Sequence, residues 1–369
     1  RAFPLHDVGE SLIARYWRPD GRSEGEPYRL LPMYKQAVSV LREQVTIAAN
    51  FVEVYLAKES HGGRVGINLL TKMQMPTLAS LYGAMLAGVD AVLMGAGIPR
   101  EIPGALDALA MHAPATLRPD DAGGEPTLLE FSPLRHGAVG APLRRPAFYA
   151  IVSAHSLATT LHRKANGRVD GFVVEGAVAG GHNAPPRGAL QLNDRGEPKY
   201  GERDIVDLSA MRELGVPFWL AGGVGSPEGL RHARELGAAG IQVGTAFAYA
   251  DESGIEPEIK AEVLRSLADG TVDVFTDPRA SPTGFPFKVV RTPGLEQQDD
   301  SRPRVCDLGY LRVAHRRADG RLGYRCPSEP ESTYLAAGGA EADTVGRRCL
   351  CNGLMSVVGL GQRRKDGSI

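Results

Sequence analysis

The sequence predicts an α/β fold in which strands and helices alternate along most of the chain. Three observations carry that prediction. Short apolar runs recur between residues 65 and 247, and most are followed by a helix-length stretch. Several of these runs close on glycine, as in Ala221-Gly222-Gly223 and Gln242-Val243-Gly244. Between those two, Ser226-Pro227-Glu228 reads as an N-cap, a proline at the first helical position and an acid in the first turn. Gly237 then reads as the C′ glycine that ends the helix Glu228–Leu236. Strand, glycine, helix, strand, glycine at this spacing is one complete αβ unit, the building block of a (β/α)8 TIM barrel.

The elements follow in order. Residues 1–43 are polar and read as a mostly helical N-terminal segment. Val45–Ala57 is apolar with mixed period, a strand running into a helix. From there the units become regular: strand Val65–Leu70, helix Pro76–Ala87, strand Ala91–Gly95 and helix Glu101–Met111. Residues 113–143 are rich in Pro, Gly and Asp and read as an insertion with one strand near Leu128–Phe131. Strand Phe148–Ser153 and helix Ser156–Asn166 make the next unit, and strands ending near Glu175, Gly223 and Phe247 complete the series. That gives six barrel strands, near residues 67, 93, 150, 173, 220 and 243. A barrel has eight in roughly 250 residues. The expectation is that this chain lacks its first one or two strands, which would leave exposed sheet edges. The alternative is that Val45–Ala49 and the Leu128–Phe131 run fill those places. The predicted organisation is a segment 1–43, a barrel domain 44–290 with loops or insertions at 113–143 and 183–206, and an extension 291–369.

Composition narrows the function. Lys plus Arg number 42 and Asp plus Glu 43, a net charge of -1, which argues against nucleic acid or an anionic membrane as the main partner. A hydrophobic content of 43% is ample for a core. Apolar runs fall short of the roughly 20 residues that a membrane-spanning helix needs. Four cysteines in 369 residues do not make a disulfide scaffold, so a cytoplasmic setting is expected. Composition is silent on oligomeric state.

The candidate chemistry sits at the strand ends, where barrels place their catalytic loops. The run Gly171–Val174 leads into Glu175-Gly176-Ala177-Val178-Ala179-Gly180-Gly181-His182. Gly180 and Gly181 remove side-chain bulk, so a planar ligand could approach the backbone, and His182 presents an imidazole with an ordinary pKa near ~6.5. At the next two strand ends, bare N–H groups of Gly222, Gly223, Gly244 and Thr245 offer donors for a phosphate, with the Thr245 hydroxyl as a further one. Asn68 and Ser153 stand at other strand ends, either as polar contacts or as turn formers. Arg187, in the loop after His182, could meet a carboxylate, nitro group or phosphate.

Four segments in order, Gly66-Ile67-Asn68-Leu69-Leu70, Glu175 to His182, Ala221-Gly222-Gly223 and Gln242-Val243-Gly244-Thr245, resemble the nitronate monooxygenase family, formerly 2-nitropropane dioxygenases and related to FMN-dependent enoyl-ACP reductases. A fifth, Ser281-Pro282-Thr283-Gly284-Phe285-Pro286-Phe287-Lys288, resembles that family's substrate-side tail segment. The resemblance covers about residues 65 to 290. It implies an FMN-dependent barrel enzyme oxidising nitronates or nitroalkanes with molecular oxygen, with His182 as the base that removes the proton α to the nitro group. It also implies FMN contacts from Asn68, Ser153, Gly180, Gly181, Ala221, Gly222, Gly223, Gln242, Gly244 and Thr245, and a small-molecule substrate met by Arg187. Two departures leave the substrate open. The loop after His182 is long and rich in Pro, Gly and charge, and Ala246 stands where relatives often carry a basic residue. The alternative activity is an FMN-dependent enoyl-(acyl carrier protein) reductase using NAD(P)H. A phosphosugar isomerase would place Lys or Asp on several strand ends, which here carry Gly, Ser, Asn and His.

Cys306, Cys326, Cys349 and Cys351 all fall in the C-terminal extension. Their spacing lacks paired C-x2-C knuckles, so reduced, unligated thiols are expected rather than a zinc or iron–sulfur site, and no metal ligand is assigned. The Gly353–Gly361 run reads as a packed terminal segment.

Overall fold

The structure, a computed structural model, describes residues 1–23, 26–119, 128–137, 140–293 and 303–362. Residues 120–127 and 138–139 of the predicted insertion, and 294–302 and 363–369 of the predicted extension, lie outside the described residues. The elements in chain order are α1 (His6–Tyr16), α2 (Val40–Ala57), β1 (Gly66–Leu70), α3 (Thr77–Leu86), β2 (Ala91–Gly95), α4 (Ile102–Ala110), β3 (Ala115–Leu117), β4 (Leu129–Phe131), β5 (Ala147–Val152), α5 (His155–Lys164) and β6 (Gly171–Glu175). They continue with α6 (Leu208–Glu213), β7 (Phe218–Ala221), α7 (Pro227–Glu235), β8 (Gly240–Gln242), α8 (Thr245–Ala248), α9 (Pro257–Ala268), β9 (Asp273–Asp277) and β10 (Phe287–Arg291). The last are β11 (Val313–Arg316), β12 (Leu322–Arg325), α10 (Glu331–Ala336), α11 (Glu341–Thr344) and α12 (Leu350–Val357). The chain divides into two compact units. One holds Arg1–Ile151, Ala158–Phe172 and Arg312–Tyr324, and the other Val152–Leu157, Val173–Leu311 and Arg325–Ile369.

In the first unit β1, β2 and β5 run parallel in that order, Gly66 opposite Ala91 and Ala91 opposite Ala147. Parallel strands need covered faces, and their sequences are accordingly near-continuous apolar runs. Phe148 and Val92 are fully buried, and Met94 nearly so. α3 is small and apolar because it is enclosed. Leu81, Tyr82 and Ala84 are fully buried, and a side chain at Gly83 would sit 2.2 Å from the Ile47 carbonyl oxygen of α2. Asp170 ties the start of β5 to the turn before β6. Its carboxylate accepts from Phe148 N at 2.8 Å and pairs with Arg145 at 2.6 Å.

In the second unit β6, β7 and β8 lie side by side, β7 and β8 parallel with Leu220 opposite Ile241. The predicted helix between these two is present as α7. Ser226 Oγ caps it by accepting from Gly229 N at 3.0 Å, and Gly237, at φ +89°, ends it. The antiparallel pair β9–β10 follows, Phe275 opposite Val289. The six strands expected near residues 67, 93, 150, 173, 220 and 243 are thus β1, β2, β5, β6, β7 and β8, an α/β fold of the partial (β/α)-barrel type.

Four expectations are corrected. Val45–Ala49 is no strand but part of α2, because Ile47, Phe51 and Val54 recur at helical spacing and bury one face. The Leu129–Phe131 strand pairs antiparallel with β3 and so is not a parallel barrel strand. Among the described residues, 1–43 are helical only in α1 and at the start of α2, where Pro19, Pro27 and Pro32 disfavour a continuous helix between. The Gly353–Gly361 run is not a packed segment throughout: Leu350 is buried in α12, but Leu354, Val358 and Leu360 are exposed. Among the described residues, no helix is long and apolar enough to cross a membrane.

Candidate functional site

β6 forms because Phe172, Val173 and Val174 bury both faces, and the chain emerges at the half-buried Glu175. A turn closed by Ala179 N donating to Gly176 O (3.1 Å) leads to Gly181, whose φ of +74° is left-handed and suits glycine. His182 follows, and the predicted tail segment pins it. Lys288 N donates to Gly181 O at 2.9 Å and Asn183 N to Pro286 O at 2.9 Å, stitching both neighbours of the histidine to residues 286–288. The imidazole meets the Phe287 ring edge-on at 4.8 Å, and its Nε2 lies 2.7 Å from Ser281 Oγ.

Ser281 is fully buried and 2.7 Å from Thr283 Oγ1, and it accepts from Thr283 N at 3.2 Å. Its carbonyl accepts from Arg347 Nη1 at 2.6 Å, which fixes the loop from the other side. Every group is satisfied when Ser281 donates its hydroxyl proton to Thr283 Oγ1 and accepts from His182 Nε2–H. Nδ1, without a hydrogen-bond partner among the described residues, then carries the lone pair. Burial holds the His182 pKa down to about 4. The expectation of an ordinary pKa near ~6.5 is therefore corrected: the ring is neutral throughout the physiological range.

A cleft of about 350 Å³ opens beside this histidine's loop, lined by Ser153, Glu175, Asn183, Arg187, Tyr200 and Asp204 among others. His182 is not in that lining. Arg187 is held there by its own N–H donating to Asp204 Oδ1 at 2.9 Å, and its Nη2 reaches Ser153 O at 3.4 Å. Tyr200 donates to Ala184 O at 3.0 Å, and burial pushes its phenol up to about 12. Burial also pushes the Glu175 carboxyl up to about 7, so near neutrality it exists in both protonation states. Asn183 is 2% exposed; its Nδ2 donates to Ala179 O at 2.9 Å while Oδ1 is buried without a partner among the described residues.

The glycine turn after β7 lies against this same loop. A Cβ on Gly222 would fall 2.8 Å from Ala179 N and one on Gly223 3.3 Å from Val178 Cγ2. Both glycines have left-handed φ, +92° and +70°. Among the described residues, the N–H groups of Gly222, Gly223 and Gly244 have no backbone acceptor. Around Gly180, Gly181 and Gly244 a Cβ would meet nothing within 4 Å, so space lies open there. Gln242 Oε1, two residues before Gly244, is buried with no partner among the described residues, and Ala221 is buried at the end of β7. Thr245 begins α8 and is exposed.

The second unit thus gathers His182, Ser153, Arg187, Gly180, Gly181, Ala221, Gly222, Gly223, Gln242, Gly244 and Thr245. Asn68 lies in the first unit, within β1 opposite Leu93, and is exposed. Sequence reasoning passed over Asn183, Tyr200, Asp204 and the Ser281 contact. Glu175 carried a legible signal, a carboxylate at the end of an apolar strand. Tyr200 and Asp204 carried none, because the loop that delivers them has no periodicity. Among the described residues, no group of three or more His, Cys, Asp or Glu is arranged to hold a metal ion.

Comparison with known proteins bears on this arrangement. The family model described as nitronate monooxygenase matches residues 141–355, more than half of the 369-residue chain. A probable nitronate monooxygenase of Staphylococcus haemolyticus is 36% identical over 160 residues, 42% of this chain and 42% of that protein. The (3aS,4S,5R,7aS)-5-hydroxy-7a-methyl-1-oxo-octahydro-1H-indene-4-carboxyl-CoA dehydrogenase of Mycobacterium tuberculosis is 32% identical over 136 residues, 37% of this chain and 34% of that one. The match therefore spans less than half the length of these curated relatives. FabK from Thermotoga maritima is 19% identical, with 67% of each chain covered and a TM-score of 0.41, a likeness too distant to add to the fold described above.

Proposed function

This chain belongs to the nitronate monooxygenase family, and on that premise we propose that it is an FMN-dependent oxidoreductase that oxidises nitronates and nitroalkanes with molecular oxygen. The observation that carries the reading is a neutral imidazole whose Nε2 is engaged at 2.7 Å by a buried serine, at the end of a glycine loop packed on the Gly222–Gly223 turn.

FMN fits the residues present. The free amides of Gly222, Gly223 and Gly244 and the Thr245 hydroxyl suit its phosphate, and Gln242 Oε1 is a buried acceptor awaiting a donor. Ala221, Gly180 and Gly181 would let the flavin approach the backbone, and Ser153 would supply a polar contact. FMN, when bound, supplies the two-electron acceptor that the side chains of this chain lack.

The residues of the chain account for the proton and the orientation. His182 Nδ1 takes the proton from the carbon α to the nitro group. The C–H bond breaks, an N–H bond forms, and the electron pair passes into the nitronate. Ser281 Oγ fixes the tautomer by accepting from Nε2–H, as an orienting carbonyl or carboxylate does in other histidine bases. The Arg187 guanidinium, on a backbone fixed by Asp204 and with Nη2 at Ser153 O, would meet the nitro oxygens.

Oxygen uptake by the FMN-loaded protein, with a nitroalkane and with its pre-formed nitronate, tests this. His182→Asn should lower turnover of the neutral nitroalkane by ~10²–10⁴-fold with flavin content unchanged, and affect the nitronate much less. Equal losses on both substrates would make His182 a positioning residue instead. Gly223→Val should yield colourless protein, and stoichiometric flavin in it would overturn the phosphate assignment. Anaerobic reduction of the flavin by NADPH, without nitronate oxidation, would replace this reading with the enoyl reductase one.

A further inference from the structure

The proposed oxidoreductase site leaves unused the thiols of the C-terminal extension, all of which belong to the second unit. Cys349 is the N-cap of α12, with Cys351 in the first turn of that helix. The Cys351 thiol donates to the Cys349 sulfur, as does the backbone N–H of Asn352. Asn352 Nδ2 lies 3.6 Å from Cys349 Sγ and is oriented by donating to Asp307 Oδ1 at 2.8 Å. Three donors converge on one sulfur at the start of a helix, where exposed N–H groups and the dipole favour negative charge. Both cysteines are half-buried, so a small molecule can reach them.

We propose that Cys349 and Cys351 form a hydroperoxide-reactive dithiol, with Cys349 as the sulfur that is oxidised and Cys351 as the thiol that resolves it to a Cys349–Cys351 disulfide. The Cys349 thiolate attacks the distal oxygen of the hydroperoxide: an S–O bond forms, the O–O bond breaks, and the departing alkoxide takes a proton from solvent. Cys349 is left as a sulfenic acid. The Cys351 sulfur then attacks Cys349 Sγ; an S–S bond forms, the S–O bond breaks, and hydroxide leaves with the Cys351 proton as water. The net change is two thiols oxidised, one hydroperoxide reduced to an alcohol, and one water released.

The neighbours assign the two roles. The Cys351 hydrogen bond, supported by Asn352, holds the Cys349 thiol below its ordinary pKa against the opposing effects of burial and Asp307. Cys351, as the donor of that bond and itself buried, is held above its own. Residues two apart lie within the roughly 7 Å that a disulfide spans between Cα atoms. Cys326 is a poorer resolver: it is 6% exposed, and burial pushes its thiol up to about 11.

The reduced full-length chain, treated with hydrogen peroxide and mapped by mass spectrometry, decides the matter. The expected product is the peptide carrying both Cys349 and Cys351 with two hydrogens lost, restored by dithiothreitol. In Cys351→Ser the reaction should stop at a sulfenic acid on Cys349 that dimedone traps, and in Cys349→Ser both products should vanish. A Cys326–Cys349 link would overturn the resolver. Oxidation spread evenly over the four cysteines, or none at peroxide levels that oxidise free glutathione, would overturn the proposal. Should either variant fail to fold, alkylation of the unmodified chain by iodoacetamide at about pH 6.5 serves instead. Cys349 should react at least about tenfold faster than Cys306, and equal rates would overturn it.

Discussion

α3, in the first unit, buries nine residues from Thr77 to Met85, whereas α7 in the second buries Ala233 alone and α8 none. The strands differ in the same sense. β2 and β5 carry Val92, Phe148 and Ala150 at zero exposure, while β8 holds only Gly240 buried and then gives way to exposed Gly244 and Thr245. The orphaned polar atoms of the site, Gln242 Oε1 and Asn183 Oδ1, belong to the second unit. A region that must present backbone amides and polar side chains to a ligand keeps some unpaired, at a cost to its own stability.

Gly83 and Gly222 sharpen this contrast most. A Cβ at Gly83 would lie 2.2 Å from Ile47 O and 2.9 Å from Ile47 C, both backbone atoms of α2 where it packs on the enclosed α3. Gly83→Ala should therefore cost about 3 kcal/mol or more, read as a fall in the urea midpoint, because neither helix can withdraw without opening the core. Gly222→Ala meets Ala179 N at 2.8 Å on an open loop at φ +92°. Its expected signature is lost flavin with a much smaller change in the urea midpoint. If the two variants lost stability equally, packing would govern both regions and the contrast would fail.

The same contrast explains what could be read in advance. The six strands β1, β2, β5, β6, β7 and β8 and the helix between β7 and β8 were legible because apolar runs, Ser226, Pro227 and Gly237 each have one local meaning. Val45–Ala49 misled because a five-residue, mostly apolar window fits either period; the wider spacing of Ile47, Phe51 and Val54 decides for a helix. Glycines at strand ends were legible as turns, and His182 as an imidazole just past a strand end. The engagement of His182 by Ser281, ninety-nine residues later, and the burial that depresses its pKa depend on long-range packing that no local pattern encodes.

Glu175 and His182, at the two ends of one loop, titrate with opposite consequences. Folding raises the Glu175 pKa from 4.5 to about 7, so its stabilising effect is complete below pH 4.5 and is lost as the pH climbs through 7. Folding lowers the His182 pKa from 6.5 to about 4, so its contribution is intact above pH 6.5 and is lost as the pH falls towards 4. Glu175→Gln should gain about 2 kcal/mol over the parent at pH 8, after allowance for solvent screening, and nothing near pH 4.5. His182→Asn should gain at the acid end instead. Urea midpoints at the two pH values measure both, and a gain for Glu175→Gln that is the same at both would place its carboxyl in water rather than in the protein.

The smallest effect expected concerns Ser281, and it asks whether the packed part of the second unit serves the proposed chemistry or only the fold. Ser281→Ala removes the oxygen that accepts from His182 Nε2–H, but leaves the Ser281 carbonyl and its bond from Arg347 in place, so the loop keeps its anchor. Without that acceptor the imidazole can place its proton on Nδ1, and the fraction of rings with a lone pair on Nδ1 falls. Turnover of a neutral nitroalkane should drop about tenfold, equivalent to about 1.4 kcal/mol of transition-state stabilisation. The pre-formed nitronate, which has no proton to give, should be oxidised at the parent rate. The acid limb of the nitroalkane pH profile should also move, since Ser281 no longer stabilises the imidazolium. A purely structural serine would lower both rates together and leave that limb where it was.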